Sequence, residues 1–84
     1  MRLDKYLKVS RLIKRRTVAN EACDYARISV NGKPAKASYD VKIGDAITVS
    51  FGQKNVTVKV LDIRETTKKS ESPGMYEVIS ETDA

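Results

Sequence analysis

The 84-residue chain has no histidine, one cysteine, one phenylalanine, two prolines and four glycines. Each shortage closes off some chemistry. Without imidazole there is no His-based acid–base catalysis, no His-containing triad and no His metal ligand. A single thiol, Cys23, cannot build a zinc site of the usual ligand types or close an internal disulfide, and it fits a reducing compartment. Gly32, Gly44, Gly52 and Gly74 stand far apart, so there is no Gly-rich phosphate loop. No apolar run approaches the ~18 residues that span a bilayer, and no apolar stretch follows the basic start as in a secretory leader. The expectation is a cytoplasmic protein that is not an enzyme, carries no metal or cofactor, and has no membrane contact.

What is present is charge, and it is polarised. The length suits one domain with a modest core. Apolar residues make up 40% and charged residues 32%, with a net charge of +5. Residues 1–16 hold seven basic side chains (Arg2, Lys5, Lys8, Arg11, Lys14, Arg15 and Arg16) against one acid, Asp4, a local charge of +6. Residues 17–64 carry +2 and residues 65–84 carry −3. Concentrated repulsion of this kind gains nothing for folding unless an anionic partner relieves it, and it is the footprint of a nucleic-acid binder.

The apolar pattern shows how that charge is mounted. Leu3, Tyr6 and Leu7 follow i, i+3, i+4 spacing, which predicts a short helix over residues 2–9 with Arg2, Lys5 and Lys8 on the face opposite the core. Taken alone, that basic face reads first as a plain solvated one, since most charged residues simply face water. Residues 10–16 read as a tight helical corner in which Leu12 and Ile13 anchor the chain. Thr17 then reads as the N-cap of a second helix from Val18 to about Ala26. Val18, Ala19, Ala22, Cys23 and Ala26 form its packing face, which makes Cys23 a core residue rather than a nucleophile. Arg15 and Arg16 sit where the helix dipole disfavours cations by ~0.3–1 kcal/mol each. A helix start flanked by guanidinium groups suits a phosphate, so here a local rule is broken where function is expected.

Beyond this point the period becomes two. Ile28 and Val30 lead into Asn31-Gly32, a strong type I′ hairpin signal, and Lys33 to Lys36 return as an edge arm because Pro34 lacks a ladder donor. Residues 37–45 form a connection with Val41 and Ile43 turned inward. Ile47, Val49 and Phe51 alternate in one strand, Val56, Val58 and Val60 in the next, with a bulge expected near Val60-Leu61. Residues 65–74 read as a polar, mobile loop, 75–79 as a last strand beside 56–63, and 80–84 as an acidic flexible tail.

These pieces together resemble a known family. Arg2-Leu3-Asp4-Lys5-Tyr6-Leu7, Arg15-Arg16-Thr17-Val18-Ala19, Arg27-Ile28-Ser29-Val30-Asn31-Gly32-Lys33-Pro34-Ala35 and Val41-Lys42-Ile43-Gly44-Asp45 are similar to the S-four (S4) RNA-binding domain over about residues 2–51. The resemblance implies an α+β fold of the alpha-L type, with two to three short N-terminal helices packed on a small twisted, mainly antiparallel sheet across residues 1–64. One departure is Ala26, where the family usually has glycine at the helix end. With Asp4, the Ile13-Lys14-Arg15-Arg16 run, the Phe51-Gly52-Gln53-Lys54 hairpin and Thr66-Thr67-Lys68-Lys69, the whole chain further resembles the small bacterial ribosome-associated quality-control factors. That implies binding to a stalled 50S subunit, contacts to 23S rRNA and P-site tRNA, and support of an RqcH-type factor during alanine tailing, with the free protein a monomer. The expected RNA contacts are Arg2, Lys5, Arg11, Lys14, Arg15, Arg16 and Thr17, with Lys8, Lys33 and Lys36 at the rim. Arg2 and Arg16 lead, as the arginines of the best-matching motifs.

Other readings are a general rRNA-binding or heat-shock-type 50S-recycling factor, a DNA-binding helix-turn-helix protein, and a protein–protein adaptor. The outward residues Asn20, Glu21, Asp24 and Tyr25 make the second helix too acidic for a major groove.

Overall fold

A computed structural model describes residues 1–25, 27–52, 54–63 and 72–83. The chain runs α1 (Leu3–Val9), α2 (Arg16–Asp24), β1 (Ile28–Val30), β2 (Lys33–Pro34), β3 (Ala46–Phe51), β4 (Lys54–Val60), a 3₁₀ turn (Ser72–Met75) and β5 (Tyr76–Asp83). The five strands form one antiparallel sheet in the order β2-β1-β3-β4-β5.

In α1 the spacing of Leu3, Tyr6 and Leu7 places all three at 0% exposure. Its first amides do not face water. Leu3 N–H donates to the Tyr39 carbonyl at 2.8 Å and Asp4 N–H to that of Ala37 at 3.2 Å, so the 37–39 loop satisfies donors that a helix start leaves open. The helix stops at Ser10, which is fully buried, and Arg11 adopts a left-handed φ of 64°. Such a backbone costs a non-glycine residue about 1 kcal/mol. Arg11 N–H to Lys8 and Ile13 N–H to Leu7 close the corner and bury Ile13. The chain then returns as α2, whose Ala19 and Cys23 join the α1 residues in the core.

The sheet supplies the rest of that core through Ile28, Val30, Ile47, Val49, Val58 and Val60. Asn31 (φ 53°) and Gly32 (φ 85°) make the left-handed hairpin turn that the Asn-Gly pair signals. Pro34 lies on the edge strand, as its missing N–H requires. Asp45 is nearly buried and ties this hairpin to the 37–45 connection. It accepts hydrogen bonds from Asn31 Nδ2 (3.2 Å), Tyr39 Oη (3.0 Å) and Lys42 N–H (2.9 Å). Tyr6, buried in α1, donates from its hydroxyl to the Met75 carbonyl at 2.7 Å, which links the first helix to the start of the last strand.

Several details differ from the sequence reading. Helix α2 starts at Arg16 rather than Val18 and ends at Asp24, and Val18 is 47% exposed instead of packed. Val41 is buried as expected, but Ile43 is 66% exposed because the chain is already turning at Gly44 (φ 95°). The bulge lies between β4 and β5 at Thr57/Val58, not at Val60-Leu61. Thr57 pairs with Ser80 and Val58 with Val78, which leaves Ile79 as the extra residue. Residues 80–83 continue β5, since β4 extends far enough to give them ladder partners, so they are strand rather than tail. Ala26, Gln53, Arg64, residues 65–71 of the expected polar loop and Ala84 lie outside the described residues.

Candidate nucleic-acid interface

The one acid in the basic segment organises it. The Asp4 side chain is only 4% exposed and sits between the two helices. Its Oδ1 accepts from Lys5 N–H at 2.8 Å and from Arg2 Nε at 3.3 Å. Its Oδ2 accepts from Arg16 Nε at 3.3 Å and Asn20 Nδ2 at 3.4 Å. Burial alone would push the carboxyl pKa up. The hydrogen bonds from Arg16, Asn20 and the Lys5 amide, with the Arg16 charge, outweigh it and hold the pKa below its ordinary value. Asp4 therefore stays ionised and clamps two guanidinium groups that remain half in solvent, at 53% exposure for Arg2 and 49% for Arg16.

This clamp brings together residues 14 apart in the chain. Arg2 is the N-cap of α1 with an extended backbone, bridged to Asp40. Arg16 is the first residue of α2. Neither helix alone would fix the separation of the pair. Asp4 and Asn20 do so, and neither stood among the expected site residues. The signal for Asp4 was its isolation, a single carboxylate among seven cations.

Thr17 is not the N-cap. That position belongs to Arg15, in extended geometry and with no side-chain capping bond, and Thr17 is an exposed residue of the first turn. From that first helical position Arg16 donates from Nε to Asp4, a tertiary contact that the local capping preference of Thr17 does not register. Thr17 still lines the same surface depression, of about 400 Å³, as Asp4, Arg16, Asn20 and Glu21. The α2 start has no acid in its first turn, whereas the 37–39 loop closes the α1 start.

The other cations surround this pair. Arg11, Lys14 and Arg15 are exposed along the corner, and Lys8 is exposed in the last turn of α1, while Lys5 is half-buried. Lys33 and Lys36 are exposed on the hairpin side and line an open depression of about 650 Å³ with Ser38 and Tyr39. That wall belongs to the loop that accepts the first amides of α1, so the hairpin cations adjoin the α1 start. Cys23 takes no part. Burial, then the charges of Asp4 and Asp24, push its thiol up to about 11, which keeps it protonated and inert. Among the described residues no group of His, Cys, Asp and Glu is arranged to hold a metal ion, and no helix is long and apolar enough to cross a membrane.

Two helices joined by a basic corner on an antiparallel sheet, with an arginine pair displayed between them, define an RNA-binding module of the S4 type, and the S4 domain matches residues 1–47. The RQC P-site tRNA stabilizing factor of Bacillus subtilis (strain 168) is 63% identical over 96% of this chain and 94% of its own length. Its counterpart in Streptococcus pneumoniae (strain ATCC BAA-255 / R6) is 60% identical over 98% and 93%. The trimeric structure of Vibrio cholerae Heat Shock Protein 15 superposes with a TM-score of 0.89 at 30% identity, over 95% of this chain and 82% of that one. The chain belongs to the family of RQC P-site tRNA stabilizing factors (RqcP), within the S4-domain proteins.

Proposed function

We propose that the protein is a non-catalytic RNA-binding factor that stabilises the P-site peptidyl-tRNA on a stalled 50S subunit. There it bridges 23S rRNA and tRNA and supports alanine tailing by an RqcH-type elongating factor in the cytoplasm. The observation that carries this reading is the Asp4-clamped Arg2–Arg16 pair, two preorganised guanidinium groups on the helical face of an S4 fold. The near full-length identity to relatives named for P-site tRNA stabilisation supplies the ribosomal context. Guanidinium forks suit phosphate oxygens, and phosphate contacts position a protein without reading sequence. Arg11, Lys14, Arg15 and Lys5 extend the contact along the corner, Thr17 adds a hydroxyl beside Arg16, and Lys8 and Lys33 serve the rim. With about six phosphates engaged, binding falls with salt at a log–log slope of roughly −5. The protein works by holding two RNAs in one arrangement, as a monomer off the ribosome.

Sucrose-gradient fractionation of tagged protein tests the reading. Wild type co-migrates with free 50S particles, and Arg2→Ala and Arg16→Ala shift it to the top of the gradient. Wild-type protein confined to the top fractions, or unaltered co-migration of both variants, would refute it. A second, related reading is a general 50S-binding factor of the heat-shock type, and the superposition on a protein named Heat Shock Protein 15 keeps it beside the first. Binding to 50S particles irrespective of bound peptidyl-tRNA would select that reading.

A further inference from the structure

Outside the Arg2–Asp4–Arg16 cluster, Tyr25 and Arg27 stand apart from the expected phosphate contacts. Tyr25 closes α2 and is 72% exposed, unusual for an aromatic ring in a small domain. The Arg27 guanidinium lies over that ring, 5.7 Å from its centroid. Both are mounted on pinned backbone. Tyr25 N–H donates to the Glu21 carbonyl at 3.0 Å, Arg27 N–H to Ala22 at 2.8 Å, and the Arg27 carbonyl accepts Ser50 N–H at 2.9 Å. Arg27 also borders a groove of about 400 Å³ whose walls include Leu12, Ile13, Val18 and Ala22, with Lys14 on its rim. The exposed half of Val18, which the expected helix packing would have buried, lines this groove.

We propose that Arg27 and this groove form a subsite for a single unpaired nucleotide of the bound RNA, its base held between the apolar walls and the Arg27 guanidinium, which the Tyr25 ring outside the groove backs and positions, and its phosphate held by Lys14. The volume lies within the ~300–1,000 Å³ of small-ligand pockets. Aromatic and guanidinium planes are the surfaces on which proteins stack splayed-out RNA bases. Charge decides the occupant. A hydrophobic peptide side chain would use the walls and leave Lys14 and Arg27 idle, whereas a nucleotide uses both. The assignment rests on the RNA-binding reading above and adds to it a preference for bulged or single-stranded positions that phosphate contacts cannot supply.

Two RNA hairpins with the same stem test it, one carrying a single bulged 2-aminopurine and the other carrying it base-paired. Wild-type protein binds the bulged hairpin about tenfold more tightly and changes its fluorescence on binding. Tyr25→Ala and Val18→Ser bring the ratio close to one while paired-hairpin affinity and its salt slope stay within twofold, because neither change removes charge. Tyr25→Phe keeps the preference. Equal wild-type affinity for the two hairpins overturns the nucleotide subsite and leaves the RNA-binding reading standing. Failure to bind either RNA overturns both. A preference that survives Tyr25→Ala and Val18→Ser together also overturns it.

Discussion

Replacing Asp4 by asparagine separates positioned charge from mere charge. The substitution raises the charge of residues 1–16 from +6 to +7, so a simple charge count predicts tighter RNA binding. The clamp predicts the opposite. Asn keeps the shape and one acceptor but turns the other oxygen into a donor facing Arg16 or Asn20. The bond from Lys5 N–H at 2.8 Å is a charge-assisted one, of a kind that contributes ~1.5–3 kcal/mol. The three contacts at 3.3–3.4 Å are longer, and the arginines are half in solvent, so each of those contributes nearer ~0–1 kcal/mol. Part of the Lys5 bond survives in Asn, which leaves a net loss of about 1–2 kcal/mol. For a domain of this size that lowers Tm by roughly 5–15 °C. Releasing two arginines costs binding a further ~0.5–1.5 kcal/mol for each side chain that must be re-ordered, ~1–3 kcal/mol for the pair, or roughly five- to 150-fold in affinity. Fluorescence anisotropy with an rRNA hairpin, well below both melting temperatures, reads the result. A double-mutant cycle adds the control, since Arg16→Ala costs much less in the Asp4→Asn background than in wild type. Tighter binding by Asp4→Asn, or fully additive effects in the cycle, would refute the clamp.

Three further outcomes follow from the same contacts. Asp4 and Asp45 both have folded-state pKa values held below the ordinary 3.8. For Asp45, burial pushes up, but hydrogen bonds from the Lys42 amide, Asn31 and Tyr39 and the Lys42 charge prevail. The unfolded chain therefore binds more protons in that range, so their stabilisation is present above about pH 4 and is lost as pH falls through the folded values. Thermal melts from pH 6 to pH 3 show this decline, and Asp45→Asn flattens it while lowering stability at neutral pH. Tyr6→Phe removes a buried 2.7 Å bond to Met75 and costs about 1 kcal/mol in denaturant titration. The loss stays moderate because Leu61 and Asp62 N–H groups also donate to that carbonyl. Cys23, buried and with its thiol at about 11, reacts with a thiol reagent at pH 8 far more slowly than a free cysteine, and denaturant restores the fast rate.

Much of the fold was legible because it rests on local rules. The Leu3–Tyr6–Leu7 spacing, the Asn31-Gly32 turn and the alternation in β3 and β4 each report a backbone period or dihedral directly, and the structure contains all three. The misreadings share one cause. Thr17 looks like a cap, Ile43 looks inward and residues 80–83 look like a tail if each is judged by its neighbours in sequence. Arg16 reaching back to Asp4, the turn at Gly44 and the length of β4 are facts about distant or folded partners, which those local preferences do not register. The same holds for Val18, whose apolar side chain lies open beside the groove of Arg27 and Lys14.

The sequence by itself determined the partner class and the scaffold. Seven cations in sixteen residues, mounted on an amphipathic period, point to an anionic partner, and the Asn-Gly hairpin and alternating strands specify the sheet behind them. Only the tertiary structure decided which cations are held together. Charge is a property of composition and survives any arrangement, but the spacing of a guanidinium pair does not, and here it is set by a buried carboxylate between two helices. Asp4, which a charge count enters as a deduction, is the residue that places Arg2 beside Arg16.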